Sequence, residues 1–302
     1  MTEQKYRARI SLGHYDSPSE RDRAVFEAQS KLAAVASPEG LSQTIAPDRL
    51  SIPANVNLVP IKPLVLDLDS WLYASDFHVP IHNRQWIKRL VAVANHRNVD
   101  TLVIGGDLFD FDSSSRHPKD TRQAGLNQTL SVAGDLLVSL CGVFNRLYIL
   151  PGNHCRRVAT KLDEPLEFDA LIHAAVKGRV ASGKIVSTDF DYIYIGQEDS
   201  GWVVGHPRYF STVPAKGGAD VAMLQRRNVI GAHNHIIGLS QSKDGRFWSI
   251  DPGHMTDPNM TPYLMQSNGL SRYPTWRNGF VLVDNNIPTI FADGLVDWSR
   301  YA

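Results

Sequence analysis

Cysteine is nearly absent. The chain holds two, Cys141 and Cys155, too few for a disulfide framework. A reducing interior suits it, so the cytoplasm is the expected location, the host's if the chain is phage-encoded. An excess of either charge is missing too. Lysine plus arginine number 31 and aspartate plus glutamate number 31, so no global pull toward nucleic acid or an anionic membrane exists, and only a local basic groove stays open. No run of about 18 apolar residues occurs, which argues against a spanning helix and a membrane partner. The opening MTEQKYRARISLGHYDS is polar and lacks the apolar stretch of a secretory signal. Internal repeats and low-complexity tracts are absent, which sets aside solenoids and tandem arrays. What is present, 43% hydrophobic and 21% charged residues over 302 positions, is globular composition with length enough for a sizeable core.

The first sixty or so residues differ from the rest. Ser17 can cap a helix, Pro18 suits its first position and Glu20 can reach back to the cap. The helix then runs through Ala24, Ala28, Leu32 and Val35 to the break at Pro38 and Gly40, and a proline-punctuated arm follows. Residues 1–62 are therefore expected to be a helix and extended arm packed on a main domain of residues 63–302, because about 40 residues rarely fold alone. From Trp71 onward, short apolar strands alternate with amphipathic helices: Trp71–Ala74, a helix with Trp86, Leu90, Val91 and Ala94 on one face, Thr101–Ile104, a helix over about 121–144, and Leu147–Leu150. Such units mean a largely parallel, buried sheet. The second half reads as strands at 192–195, 202–204, 228–230, 246–250 and 280–283, with a helix over 215–226. An α/β fold of two sheets stacked face to face, with helices outside, buries all of this.

Polar clusters stand directly behind the apolar strands, where open α/β sheets collect ligands. They are Asp76 and His78, then Asp107, Asn153 with His154, His206, and His233 with His235. This set of oxygen and nitrogen donors without thiolate suits manganese, iron or zinc. Extended-chain alternation would put Asp76 and His78 on one face, and likewise His233 and His235 if the chain stays extended there. The glycines before Asp107, Asn153, His206 and Ala232 let the chain turn as each strand ends.

Read in order, SDFH, GDLFD, PGNH, VGHP and GAHNH resemble the motif series of the calcineurin-like metallophosphoesterases, over roughly Leu64 to the C-terminus. Ile250, Asp251, Pro252 and Gly253 look like the strand and turn that follow the last histidines in that family. The resemblance implies a four-layer αββα sandwich of two mixed sheets flanked by helices, here with an N-terminal helical and arm extension. It implies two divalent metal ions, Mn2+ first, with Zn2+, Fe or Ni2+ as alternatives. Asp76, His78, Asp107 and His235 would hold one; Asp107, Asn153, His206 and His233 the other, with Asp107 bridging. A hydroxide shared by the two cations would be the nucleophile. By the same resemblance His154 faces the leaving group and Asp110 orients its imidazole.

The expected activity is hydrolysis of phosphate esters. Phe111 stands where many phosphoprotein phosphatases of the superfamily carry arginine, and Cys155 where they carry an acid, which turns the reading from protein phosphatases toward phosphodiesterases. The GDLFD element is similar to that of the DNA repair nucleases in this superfamily, so a nuclease on DNA or RNA is one version. A phosphomonoesterase or small-nucleotide hydrolase is the alternative, favoured by the neutral charge balance. A non-catalytic scaffold ranks last, since every expected ligand is present. The partner is then a phosphate ester, with nucleic acid or a nucleotide as candidates, and oligomeric state is left open. Arg156 and Arg157 could meet a substrate phosphate or simply begin a solvated helix. His82 and His254 lie near motifs as pocket candidates. The tryptophans read mainly as core, with Trp276 and Tyr273, in a loop-like stretch, as candidates to stack a base.

Overall fold

The structure, a computed structural model, describes residues 62–115, 123–162, 166–208, 211–261 and 275–301. The chain divides into two units, Met1–Pro60 and Ile61–Ala302, and the described residues all belong to the second. The helix expected from Ser17 and the arm after it lie outside the described residues.

Twelve strands among the described residues form two sheets of six. In the first, β2 (Ser70–Ala74), β3 (Thr101–Gly105), β4 (Arg146–Leu150) and β5 (Ile185–Ser187) run parallel, while β11 (Gly279–Asp284) and β12 (Ile287–Ala292) add antiparallel strands beyond β2. The second sheet has the order β1 (Val65–Leu66), β6 (Tyr192–Ile195), β7 (Trp202–Gly205), β8 (Asn228–Gly231), β10 (Trp248–Pro252), β9 (Ile237–Gln241). It is mixed, with β1–β6, β7–β8 and β8–β10 parallel and β6–β7 and β9–β10 antiparallel.

Period-two alternation sorts each strand's side chains between two cores. Leu72, Leu102, Ile104, Leu147, Ile149, Phe280 and Leu282 point outward, into a core closed by α1 (Arg84–Arg97), α2 (Leu126–Cys141), the short α3 (Arg157–Leu162) and α4 (Phe168–Val176). Trp71, Tyr73, Val103, Val281 and Val283 point the other way and meet Ile193, Trp202, Val204, Ile230 and Ile250 of the second sheet. On that sheet's outer face Val203 and Val229 pack with Ala222 of α5 (Lys216–Gln225) and with Phe247. The layers are thus helices, sheet, sheet, helix. Truncating one of these closed core leucines to alanine costs about 2–5 kcal/mol in comparable sites.

Helix ends follow local chemistry. Asn83 caps α1, its side chain accepting from the Gln85 and Trp86 amides, and Asn98 closes it in the left-handed conformation. The helix expected over 121–144 is shorter, because Gly125 and Gly142 flank it as caps. Four strands lacked a distinct sequence signal: β1, β5, β9 and β12, which lie at the four sheet edges and are half-exposed, so their alternation is diluted by polar neighbours. Of the tryptophans, Trp248 is an exception to the core assignment. It is 38% exposed at the start of β10.

Candidate metal centre

The carboxyl ends of β2, β3, β4, β7 and β8 open at one edge of the sandwich. Tyr73 fixes how the two sheets meet there. Its hydroxyl lies 2.8 Å from the Gly205 carbonyl and 3.2 Å from that of Gly105, the residues just ahead of His206 and of the Gly106–Asp107 turn. Gly105 has no side chain for a plain reason: a Cβ would stand 1.9 Å from that hydroxyl.

Past the strand ends the backbone does not stay extended. Asp76, His78, Asp107, His233 and His235 have φ of 54°, 47°, 44°, 84° and 58°. The alternation expected for Asp76–His78 and for His233–His235 is therefore absent; the chain curls, and the curl aims both side chains of each pair inward. Left-handed conformations cost non-glycine residues roughly 1 kcal/mol or more each and persist where surrounding bonds over-determine them. Those bonds are visible. The Asp76 amide donates to the Gly106 carbonyl at 3.1 Å and the His78 amide to Asp107 at 2.9 Å.

All the side chains picked out from the motifs converge. Asp76 and Asp107 are 0% and 1% exposed. Asp76 Oδ1 meets His235 Nε2 at 3.0 Å and His78 Nε2 at 3.7 Å, while its Oδ2 accepts from the His233 amide at 3.2 Å. Asp107 Oδ1 accepts from the His154 amide at 2.8 Å, and its Oδ2 faces His206 Nε2 at 3.2 Å and His78 Nε2 at 4.0 Å. Asn153 Oδ1 lies 3.0 Å from His206 Nε2, which lies 3.2 Å from His233 Nδ1. Three groups have ligand atoms mutually within 4.8 Å and could hold a cation: Asp76, His78 and His235; Asp107, His206 and His233; and His78, Asp107 and His154.

Asp110 does more than the sequence indicated. Its Oδ1 lies 2.9 Å from His154 Nδ1 and also 3.1 Å from His78 Nδ1, so one carboxylate orients two imidazoles whose rings meet edge-on. His154 Nε2 on its other side receives Arg157 Nη2 at 2.8 Å, and Arg157 is held by the Asp110 carbonyl and by Asp112. Arg156 turns away, to Asp191.

Burial opposes charge throughout this cluster, and the bonds decide the outcome. His78 is penalised by burial, yet hydrogen bonds to Asp110 and Asp76 raise it to about 10. Burial also opposes a charged His206, but Asp107 and Asp76 raise it to about 9. Asp76, Asp107 and Asp110 are held well below the usual carboxylate range despite burial, chiefly by neighbouring imidazoles. His233 and His235 are lowered by burial. His78 and His206 are thus the imidazoles whose charged forms Asp76 and Asp107 favour most.

Behind His235 stand two residues of less obvious signal. His254 is fully buried and stacked on it with centroids 5.1 Å apart; Trp276 meets its edge at 3.9 Å. Trp276 backs an imidazole here, while Tyr273 lies outside the described residues, as does most of the loop after Phe111. Phe111 itself is buried and stacked on Phe109, so its ring packs in the core. Cys155 is buried and its thiol pushed up to about 12, which fits a packing residue. Asp251, from the quoted Ile250–Gly253 stretch, accepts from the Ala215 amide and faces Asn234 between the paired histidines; burial raises it to about 6.

Comparison with known proteins agrees with this geometry: the calcineurin-like phosphoesterase profile matches residues 72–291. The chain belongs to that family. Among curated proteins this phosphoesterase chain is 22% identical over 231 residues to the gene 54 protein of Mycobacterium phage L5, covering 69% of this chain and 86% of that protein. Solved structures similar to it include the phosphoesterase YfcE of E. coli, at 15% identity and TM-score 0.40, over 75% of this chain and 95% of that one. Another is a zinc complex of Vps29 from Entamoeba histolytica, at 13% identity and TM-score 0.38, over 76% and 96%. Among the described residues, no helix of this phosphoesterase is long and apolar enough to cross a membrane.

Proposed function

We propose that this chain hydrolyses phosphodiesters with two divalent cations, one held by Asp76, His78, Asp107 and His235, the other by Asp107, Asn153, His206 and His233. The observation that carries this reading is the convergence of seven donor side chains from five separate strand ends, two of them buried carboxylates. The residues fit such cations. Among the described residues, Nδ1 of His206 and of His235 are buried without a hydrogen-bond partner, and two carboxylates stand closed off from water. A dication would neutralise them with every imidazole uncharged. The donor set contains no thiolate and suits manganese first. When bound, such cations polarise phosphate oxygens and make water nucleophilic near neutral pH.

The chain's own residues supply the other half. Two oxygens of Asp110, carboxylate and carbonyl, lie at 2.9 and 3.1 Å from His154 Nδ1 and hold the proton there. Nε2 accepts from the Arg157 guanidinium at 2.8 Å, and when a substrate phosphate draws that arginine onto itself Nε2 is left toward the leaving group. His154 is thus the group that passes a proton or hydrogen bond to the departing oxygen. A nuclease is one version of this activity. The small-nucleotide alternative is supported by one observation, a cavity of about 310 Å³, the size of a small ligand, lined in part by His206 and His233.

The test is turnover of bis-p-nitrophenyl phosphate with Mn2+ added. Turnover abolished by chelator and restored by Mn2+ is expected. No diester turnover with brisk hydrolysis of p-nitrophenyl phosphate would move the assignment to a monoesterase, and tight stoichiometric metal with no turnover of either would move it to a scaffold.

A further inference from the structure

A second polar cluster adjoins the centre and plays none of the roles above. Asp191 stands just before β6. Its backbone carbonyl accepts from the His206 amide at 2.8 Å, so it is anchored to a candidate ligand. Gly205 permits this approach, since a Cβ there would lie 2.2 Å from the same carbonyl. The Asp191 carboxylate gathers two guanidinium groups: Arg156 on Oδ1, through Nη2 at 2.6 Å and Nε at 3.2 Å, and Arg208 on Oδ2, through Nε at 3.3 Å. Two cations on one carboxylate leave net positive charge. Arg208 is 82% exposed, where an ion pair adds little stability, so its guanidinium can be redirected at small cost.

Both arginines line a cavity of about 310 Å³ whose other wall is Asn153, His206 and His233. A ligand in it touches the arginines and the open side of the centre together. A neighbouring recess of about 170 Å³ shares Asp191, His206 and Arg208 and is otherwise walled largely by apolar side chains, Tyr192, Val203 and Val221 among them. The larger volume lies at the lower end of the roughly 300–1,000 Å³ common for small-molecule sites. Guanidinium forks match phosphate, and an apolar recess beside an aromatic ring matches a flat base.

We propose that the substrate is a nucleotide bearing a phosphate beyond the scissile one, with the extra phosphate clamped by Arg156 and Arg208 and the base in the recess beside Tyr192. Asp191 holds the two guanidinium groups together until the substrate's phosphate takes its place. The assignment rests on the phosphodiesterase reading above and names the substrate class of that site.

Two chromogenic diesters test it: the p-nitrophenyl ester of thymidine 5′-phosphate, with and without a 3′-phosphate. The wild-type chain should prefer the 3′-phosphorylated ester by about tenfold or more in kcat/KM, carried mainly by KM, as a charged hydrogen bond is worth. Arg208→Ala and Arg156→Ala should each shrink that preference severalfold, while Arg226→Ala, whose partners are Glu198 and Asp199, should keep it. Equal handling of the two esters by the wild type overturns the proposal, as does an unchanged preference in Arg208→Ala. Calorimetric titration with thymidine 3′,5′-bisphosphate and thymidine 5′-phosphate reads the clamp without turnover. If neither ester is hydrolysed yet the bisphosphate binds more tightly in an Arg208-dependent way, the clamp stands and the hydrolase assignment falls; equal binding of the two nucleotides overturns the clamp. A short oligothymidylate with a 3′-phosphate, used as a third substrate, tells a strand end from a free nucleotide, and the same advantage on either supports the proposal.

Discussion

The sheet built on β2, β3 and β4 sends Asp76, His78, Asp107, Asn153 and His154 into the centre, whereas the sheet built on β7 and β8 sends His206, His233 and His235. Both central carboxylates therefore come from the first sheet, and the second adds imidazoles alone. Neither sheet by itself is a viable site. Buried carboxylates without the facing imidazoles would be uncompensated charge, and the imidazoles without the carboxylates would be three bases, two of them buried, with little to bind. The site is a property of the stacking, and the Tyr73 hydroxyl is one place where the stacking is fastened. A second division cuts across the sheets: Asp76, His78 and His235 are buried, while Asn153 and His233 line the arginine-lined cavity.

The strongest way to break this division is Asp107→Asn, which strips the first sheet of its shared carboxylate. Turnover of a chromogenic diester should fall by more than about 10³-fold, since bound cations supply several kcal/mol to such a reaction. A loss below tenfold would remove Asp107 from the centre. Next comes His154→Ala, from the same sheet but outside the ligand set. Its kcat should fall about 10²–10³-fold, the range of a lost general acid, with metal content unchanged. Loss of metal in parallel would instead make His154 a ligand. The junction itself is probed by Tyr73→Phe. One buried hydrogen bond is worth about 1 kcal/mol, so thermal unfolding should begin roughly 2–4 °C lower in a domain of this size. No shift would mean that the apolar contacts between the sheets set the register unaided.

A pH-dependent effect concerns the second sheet alone. Asp251 is raised to about 6 from an ordinary value near 3.8, so the folded chain keeps its proton over a range where the unfolded chain has lost it. Its contribution is most favourable below about pH 4, declines as pH rises toward 6, and is flat above, a difference on the order of 2–3 kcal/mol. Asp251→Asn should remove that decline and leave the chain more stable at pH 7, with Asn234 turning its unpartnered Oδ1 toward the new amide. Parallel urea stability curves for the two chains between pH 4 and 7 would contradict this.

Much of this was legible in the residues. The central strands announced themselves because both faces are buried, which leaves unbroken apolar runs such as Leu102–Ile104 just ahead of a polar cluster. Edge strands β1, β5, β9 and β12 did not, since one side of each faces water. The ligand candidates were readable because each sits behind a strand. How they converge was not: an extended chain and a left-handed curl share one sequence, and only the bonds between the Asp76 and Asp107 loops choose the curl. Asp191 has no motif at all. It matters because its carbonyl meets the His206 amide and its carboxylate meets arginines from other elements, a coincidence of folding. Asp110 beside His154 follows from the motif, but its second bond, to His78, spans 32 residues and arises only when the two strand ends meet.

The central claim is that the seven side chains hold a pair of cations. Counting manganese bound per chain, by elemental analysis after equilibrium dialysis, tests it most directly. The account predicts two ions on the wild-type chain, and fewer than two on Asp107→Asn and on His235→Ala measured at the same free manganese. No bound manganese on the wild type, or an unchanged two ions on both variants, would contradict it.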